Sequence, residues 1–418
     1  MIAAPTITPP AARRPKNRND RVKFSNMMIP SASIMDRCLT SSAAISNPAR
    51  QAAAALPPAA DTANTAADTA AGQCRMRPRT RSFAGRGRLA ARVAAPLVFA
   101  ATQVHAQPPA FAPNQPLQVG VQVKLGEFSP TDATRIHAAG FDFVRLGVWI
   151  DRLSDVAYQS RVKAAFANAR AASLPVLMTV RAVDSVSPAA ASTPAALEQA
   201  GAKFGAAAAA LARTYASQLL AVELWNEPDL GKYWPTGNVE QNFAPYMRAA
   251  CQQLGPRGQR PAPVIGFGFA HAPSPGSLAD ALLGQVATAA PDCLDAISYH
   301  AYGMTEQAIR TASNDAHTRY RLPAVITEWG TPSLLINGGD DAQADRLKAF
   351  LAELPSVGTP VVSIYEWKNT ANGGNSRERN FGLVTSSGTD KPALNAARGE
   401  LRMLLRDTGA ASASNGNR

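Results

Sequence analysis

Leu224-Trp225-Asn226-Glu227-Pro228 and, about a hundred residues on, Ile326-Thr327-Glu328-Trp329-Gly330 each set one glutamate directly behind a short run rich in β-branched and aliphatic residues. Such a run reads as a buried strand, and the residue behind it as the strand's C-terminal end. The pattern recurs along the chain. Eight runs, Leu117–Val123, Phe143–Val148, Pro175–Val180, Ala221–Leu224, Pro263–Phe267, Leu294–Tyr299, Ala324–Thr327 and Val361–Tyr365, are separated by helical patterns. The helices are expected at Thr131–Ala139, Val156–Ala172, Ala195–Leu219, Gln241–Leu254, Ser277–Ala289, Thr305–Tyr320, Asp341–Leu354 and Pro392–Leu405. Alternation of this kind marks βα units around a parallel sheet. Eight such units are the count of a closed barrel, so the expected fold is α/β, a single (β/α)8 TIM barrel over residues 107–407 with a flexible tail over 408–418. The alternative is a doubly wound open sheet, which would gather its ligand at one switch point. Here the polar residues sit behind many strands instead: Arg145 within the second run, Asn226 and Glu227 after the fourth, and His271 after the fifth. His300 and Tyr302 follow the sixth, Glu328 the seventh and Trp367 the eighth. No Gly-rich dinucleotide fingerprint and no P-loop string supports the open sheet.

The net charge of +12 would ordinarily point to nucleic acid or an acidic membrane surface. Its distribution takes away the main support for that reading, which would require the leader to persist in the mature protein. Residues 1–106 hold fifteen Lys and Arg against four Asp, and the remainder is nearly neutral with no basic stripe. Within 76–106, the arginines 77, 79, 81, 86, 88 and 92 precede the apolar run Val93–Ala101 and then Val104-His105-Ala106. A positive region, a short apolar core and a small-residue site describe a signal peptide cleaved after Ala106. The apolar run is too short for stable membrane insertion. The expected mature chain is exported to the periplasm or the extracellular space, as a monomer. Residues 1–75 are Ala-, Pro- and Thr-rich without apolar periodicity, either a disordered extension or a stretch upstream of a true start at Met76.

Cys251 and Cys293 are the two cysteines outside the leader, which makes them a disulfide candidate in an exported protein, with two buried free thiols as the alternative. No C-x-x-C or His/Cys cluster indicates a metal site.

Two carboxyl groups facing one another are the minimum for cleaving a glycosidic bond, provided one is protonated at rest and the other ionised. Glu227, beside Trp225 and before Pro228, suits the acid, because partial desolvation favours the protonated form. Glu328 suits the anionic nucleophile, with Arg145 and the Tyr302 hydroxyl as stabilisers of its charge. Asn226 can donate to and accept from a sugar 2-hydroxyl. Trp367, and after it Trp149, Trp225, Trp234 and Trp329, are candidates for stacking on sugar faces. His137 and His317 fall on helices and read as surface residues.

Trp225-Asn226-Glu227-Pro228, Tyr299-His300-Ala301-Tyr302, Thr327-Glu328-Trp329-Gly330 and Tyr365-Glu366-Trp367 together resemble the large clan of retaining glycoside hydrolases that includes families 5 and 39. Phe143-Val144-Arg145-Leu146, Phe381-Gly382-Leu383-Val384 and Lys391-Pro392-Ala393 extend the resemblance over roughly Leu117–Leu405. It implies a (β/α)8 barrel with Glu227 as acid/base beside Asn226 and Glu328 as nucleophile. Arg145 and Tyr302 would support Glu328, and His300 and Trp367 would line the subsite where the bond breaks. It implies no metal and no organic cofactor. The histidine often found after the third strand in family 5 is replaced here by Thr179-Val180-Arg181, and family 39 enzymes acting on bacterial exopolysaccharides are the nearer match. The expected activity is endo-acting hydrolysis of a β-linked polysaccharide or oligosaccharide. Two alternatives are a transglycosylase and a non-catalytic carbohydrate-binding protein on the same scaffold.

Overall fold

The computed structural model of the chain describes residue 111 and residues 115–415; the leader segments 1–75 and 76–106 lie outside them. Eight parallel strands close into a barrel in sequence order. They are β1 (Gln118–Gln122), β2 (Phe143–Trp149), β3 (Val176–Arg181), β4 (Leu219–Leu224), β5 (Val264–Phe269), β6 (Ala296–His300), β7 (Ala324–Trp329) and β8 (Val361–Ile364). Closure comes from β1 pairing with β8, with Val119 opposite Val362 and Val121 opposite Ile364. The helices are α1 (Pro130–Ala138), α2 (Val156–Ala171), α3 (Pro194–Thr214), α4 (Val239–Leu254), α5 (Leu278–Ala289), α6 (Glu306–Tyr320), α7 (Gly339–Glu353) and α8 (Pro392–Asn415). Many are started by a side chain that satisfies otherwise unpaired backbone N–H groups. Ser129 and Asp132 form a reciprocal capping box before α1, and Asp155, Thr193, Ser277 and Thr305 cap α2, α3, α5 and α6. The last helix runs beyond Leu405, where the pattern predicts it to end, as far as Asn415.

Every second residue of a strand points into the barrel. That alternation builds two layers. At the N-terminal ends Phe143, Leu177, Ala221, Ile265, Ala296, Val325 and Val361 form a closed apolar floor with Phe111 packed among them. Two residues further along, the matching positions on six of these seven strands are Arg145, Thr179, Glu223, Ser298, Thr327 and Ser363, all polar and all buried, and on β5 the position is Phe267. An apolar floor fixes the barrel, and the polar layer above it faces the end where the βα loops open. The outer faces of the strands pack against the helices in a second, larger apolar shell.

On strict alternation Trp329 would point inward beside Thr327, and Glu328 outward. A bulge reverses this: the β6–β7 register steps from Tyr299–Ile326 to His300–Glu328, and the β7–β8 register is irregular over the same residues. One extra residue turns the end of β7 so that Glu328 faces the interior. Trp329 is left outside, stacked on Phe350 of α7 at 3.8 Å and 3°.

Cys251 on α4 and Cys293 before β6 are disulfide-bonded, with their Cα atoms 5.3 Å apart and a sequence separation of 42. Closing a loop of that length restricts the unfolded chain, and its removal costs about 2–4 kcal/mol. Cys251→Ser is accordingly expected to lower the thermal midpoint relative to the oxidised parent. Reduction of the parent with dithiothreitol should reproduce the drop, whereas equal midpoints would show that the bond adds nothing.

Candidate active site

Glu227 leaves the end of β4 through an unusual backbone. Trp225 and Glu227 both have positive φ, 72° and 53°. Non-glycine residues are held there only when the surroundings dictate it. They are fixed on both sides: Trp225 donates its N–H to Val180 O at 2.9 Å and Glu227 donates to Gly268 O at 2.8 Å. The Trp225 indole donates to Tyr233 O at 3.2 Å and packs edge-on or tilted against Phe204, Trp234 and Tyr246. Gly268 itself has a φ of 56°, and a Cβ there would lie 3.0 Å from Glu223 Oε1, so this position accepts only glycine.

Arg145 organises the interior. Its Nη1 donates to Glu328 Oε1 at 2.6 Å and to Gln122 Oε1 at 2.8 Å. Nη2 donates to Glu223 Oε2 at 2.6 Å and Asn226 Oδ1 at 2.8 Å, and Nε donates to Glu223 Oε2 at 2.9 Å. Every nitrogen of the guanidinium is engaged, with two carboxylates against one cation. Thr179 adds a 2.6 Å hydrogen bond to Glu223. Since Asn226 accepts from Arg145 through its oxygen, its amide nitrogen remains to donate elsewhere.

Tyr302 donates its hydroxyl to Glu328 Oε2 at 2.8 Å. Burial alone would raise the Glu328 carboxyl pKa. The charges of His300 and Arg145, with the hydrogen bonds from Arg145 and Tyr302, outweigh burial and hold it below the usual range. Glu223 is likewise held low against burial by Arg145 and by Thr179 and Thr327. His300 Nδ1 lies 3.1 Å from Glu227 Oε1 and 3.6 Å from Glu328 Oε2, between the two carboxylates. Burial opposes protonation of this imidazole, but Glu328 and then Glu227 prevail and its pKa is raised.

The ligand atoms of Glu227, His300 and Glu328 all lie within 4.8 Å of one another, the one such trio of His, Cys, Asp or Glu among the described residues. Two carboxylates and an imidazole could in principle hold a divalent ion. Here Glu328 is already bound by the Arg145 guanidinium and by Tyr302, and a fixed cation at 2.6 Å opposes a second one. The donor set therefore favours ion pairing over metal ligation.

The remaining sequence-predicted residues divide. Trp149, at the end of β2, is partly exposed and carries the Arg181 guanidinium 4.2 Å over its ring. Arg181 ends β3, is buried, and also lies over Tyr233 at 5.5 Å. Burial lowers its pKa against the fields of Tyr233 and Glu227. His271 is exposed at the rim, and its ring is tied to Asp229 Oδ2 at 3.1 Å. Asp229 also accepts from the Ala270 and His271 backbone at 2.8 and 3.2 Å, clamping the β5–α5 loop to the loop that carries Glu227. That hydrogen bond to Asp229 raises the His271 pKa.

The tryptophan expectation needs correction. Trp367 is buried and does not line the subsite: its indole donates to Asp132 Oδ1 at 2.9 Å, and Arg135 covers its ring at 5.4 Å. Trp225 and Trp234 are wholly buried in the aromatic cluster beneath Glu227. The residue after β8 that does stand beside Tyr302 is Tyr365, with ring centroids 6.2 Å apart; its hydroxyl is kept protonated by burial and by Glu366 and Glu328. The strand pattern does not single out Tyr365 or Glu223. The one readable hint of Glu223 is a lone charge inside the apolar run Leu219–Leu224.

The architecture is the (β/α)8 barrel found among glycoside hydrolases, and solved structures of families 39 and 5 superpose on it. A family 39 glycoside hydrolase from the gut symbiont Bacteroides cellulosilyticus WH2 matches with a TM-score of 0.55 and 16% identity over 70% of this chain, which spans 64% of that protein's length. A GH5-4 broad-specificity endoglucanase from Clostridium longisporum matches with a TM-score of 0.52 and 14% identity, over 70% of this chain and 97% of that one. A glucosidase from Croceicoccus marinus matches with a TM-score of 0.50 and 16% identity, over 69% and 70%. No family model matches the chain, and no curated protein matches its sequence. Among the described residues no helix is long and apolar enough to cross a membrane.

Proposed function

We propose that this chain is an exported retaining β-glycosidase, endo-acting on a polysaccharide, with a bacterial exopolysaccharide as its class of substrate. The observation that carries the reading is the approach of one carboxylate oxygen of Glu227 to one of Glu328 within 4.8 Å, with Glu328 held as an anion by Arg145 and Tyr302. Inverting enzymes need carboxyls about 6.5–9.5 Å apart to admit a water between them, whereas direct attack needs about 5–5.5 Å.

In the first step the Glu328 carboxylate forms a bond to the anomeric carbon while the glycosidic C–O bond breaks, and Glu227 gives its proton to the departing oxygen. In the second, Glu227 removes a proton from water, whose oxygen displaces Glu328 from the anomeric carbon. In this reading the Asn226 amide nitrogen donates to the sugar 2-hydroxyl, since its oxygen already accepts from Arg145. The likeness to a broad-specificity endoglucanase supports an endo mode on a polysaccharide. The leader composition and the Cys251–Cys293 bond support export to an oxidising compartment.

The test is Glu227→Ala. Loss of the general acid is expected to slow polysaccharide hydrolysis by roughly 10²- to 10⁴-fold. Aryl glycosides with acidic leaving groups need no protonation and should keep near-parental glycosylation rates. Equal losses on both substrate types, or a first-formed product of inverted configuration by NMR, would refute the assignment.

A further inference from the structure

Glu227 is aimed by few contacts of its own. Its Oε1 lies 3.1 Å from His300 Nδ1, whereas Oε2 is buried and hydrogen-bonds to none of the described residues. The direction of the carboxyl therefore depends on the backbone that carries it, and that backbone is held in the left-handed region at a φ of 53°. A non-glycine residue stays there only where the surroundings impose it. What imposes it here runs through Asp229, whose side chain is 3% exposed and takes no part in the chemistry above.

Glu227, Gly268, Ala270 and Asp229 close a hydrogen-bonded ring between the ends of β4 and β5. Glu227 donates its N–H to Gly268 O at 2.8 Å, and Ala270, two residues beyond Gly268, donates its N–H back to Asp229 Oδ1 at 2.8 Å. His271 reinforces the ring. Its N–H donates to Asp229 Oδ2 at 3.2 Å, and its Nδ1 lies 3.1 Å from the same oxygen. On the β4 side Leu230 donates to Glu227 O at 3.1 Å, and on the β5 side Gly268 donates its own N–H to Ser298 Oγ of β6 at 2.7 Å. The carbonyl that accepts from Glu227 is thus held by Ser298 at one end of its segment and by Asp229 at the other. Without the Asp229 carboxylate the second of these ties is gone.

We propose that Asp229 is a positioning residue for Glu227: by fastening Ala270 and His271 it fixes Gly268 O, which in turn fixes the Glu227 backbone and the reach of its carboxyl to the departing oxygen. The inference rests on the reading of Glu227 as the acid/base of a glycosidase. A proton donor must stand within about 2.6–3.2 Å of the atom it protonates, and a misplacement of about 1 Å costs on the order of 10² in rate. Glu328 is anchored separately. Among the described residues no hydrogen bond joins it to Asp229, and it keeps Arg145 and Tyr302 when the ring is opened. Steps that need the Glu227 proton should therefore suffer, and the attack by Glu328 should not.

The experiment measures kcat/KM, which reports the steps through cleavage of the glycosidic bond, for the parent, Asp229→Ala, Asp229→Asn and Glu227→Ala. The substrates are the phenyl and 2,4-dinitrophenyl β-D-glucosides, galactosides, mannosides, xylosides and cellobiosides. Of the two leaving groups only phenol needs a proton as it departs. Asp229→Ala should lose roughly tenfold to a hundredfold on the phenyl glycosides and stay near-parental on the dinitrophenyl ones. Asp229→Asn, which keeps an acceptor for the Ala270 N–H, should show the same dependence at smaller size, and it decides if the alanine variant does not fold. A merely structural role would lower both substrate types together. Such parallel losses, or phenyl rates left unchanged, overturn the inference alone when Glu227→Ala still shows the dependence on leaving group. A Glu227→Ala loss blind to the leaving group, or a folded parent inert on the whole panel, overturns the glycosidase reading beneath it.

Discussion

Glu328→Ala is expected to abolish turnover on every substrate, activated aryl glycosides included, by on the order of 10⁴- to 10⁶-fold, the scale of losing a catalytic nucleophile. This separates it from Glu227→Ala, whose defect depends on the leaving group. The fold should survive, because Arg145 keeps three further partners in Glu223, Asn226 and Gln122 when Glu328 is removed. The vacated side-chain volume beneath the anomeric carbon gives a second readout. Azide can enter it and attack the carbon directly, forming a C–N bond as the aryl oxide leaves, and the product is a glycosyl azide of inverted configuration. Recovery of turnover with added azide, together with that product by NMR, is the expected result. A Glu328→Ala protein that still hydrolyses aryl glycosides within tenfold of the parent would remove Glu328 from the mechanism.

Much of this arrangement is legible in the sequence, and the reasons differ by residue. The eight strands of a buried parallel sheet are apolar on the face that meets the helices and in the interior floor, so they stand out as short runs, each within a few residues of its observed bounds. Asn226, Glu227, His300 and Tyr302 are legible because the barrel topology delivers strand ends to one face, and a polar residue there has little else to do, whereas Arg145 is legible as a lone charge inside an apolar run. Glu328 is legible only through its flanking string. Simple alternation would have turned it outward, and the bulge at the end of β7 that turns it inward has no one-residue signature. Glu223 is hidden because it sits within a strand, where polarity of the upper interior layer is set by what Arg145 needs rather than by periodicity. The tryptophans mislead for a related reason. Proximity to a strand end does not say which face a large ring takes, and Trp225, Trp234 and Trp329 fill the helix–sheet interface while Trp367 bonds Asp132. The path of the loop after β8 is likewise hidden, because it depends on the contact of Arg377 with Tyr302, far away in sequence.

Arg145→Ala should be the most damaging single change to the molecule, because it strikes stability and chemistry together. It leaves Glu223 and Glu328 buried with no guanidinium between them, their side chains 0% and 6% exposed. Removing one partner of a buried pair costs about 3–5 kcal/mol, since the remaining charge cannot recover its solvation. The dependence on pH fixes the cause. In the parent both carboxyls are held below their ordinary range, so their pairing adds stability above the unfolded-state values and loses it as pH falls through the folded ones. Without Arg145 their folded pKa values rise, and acid now relieves the repulsion by protonating them. The stability gap between parent and variant, measured by denaturant unfolding, should therefore be widest at neutral pH and narrow towards pH 4. The acid limb of kcat/KM should move to higher pH in the same variant, as Glu328 becomes easier to protonate. Arg145→Lys restores one positive charge but not the fork that reaches Glu223, Glu328, Gln122 and Asn226 together, so it should recover part of the stability and little of the activity. A pH-independent stability gap, or an unmoved acid limb, would mean that Arg145 is a packing residue and that Glu328 owes its ionised state to His300 and Tyr302.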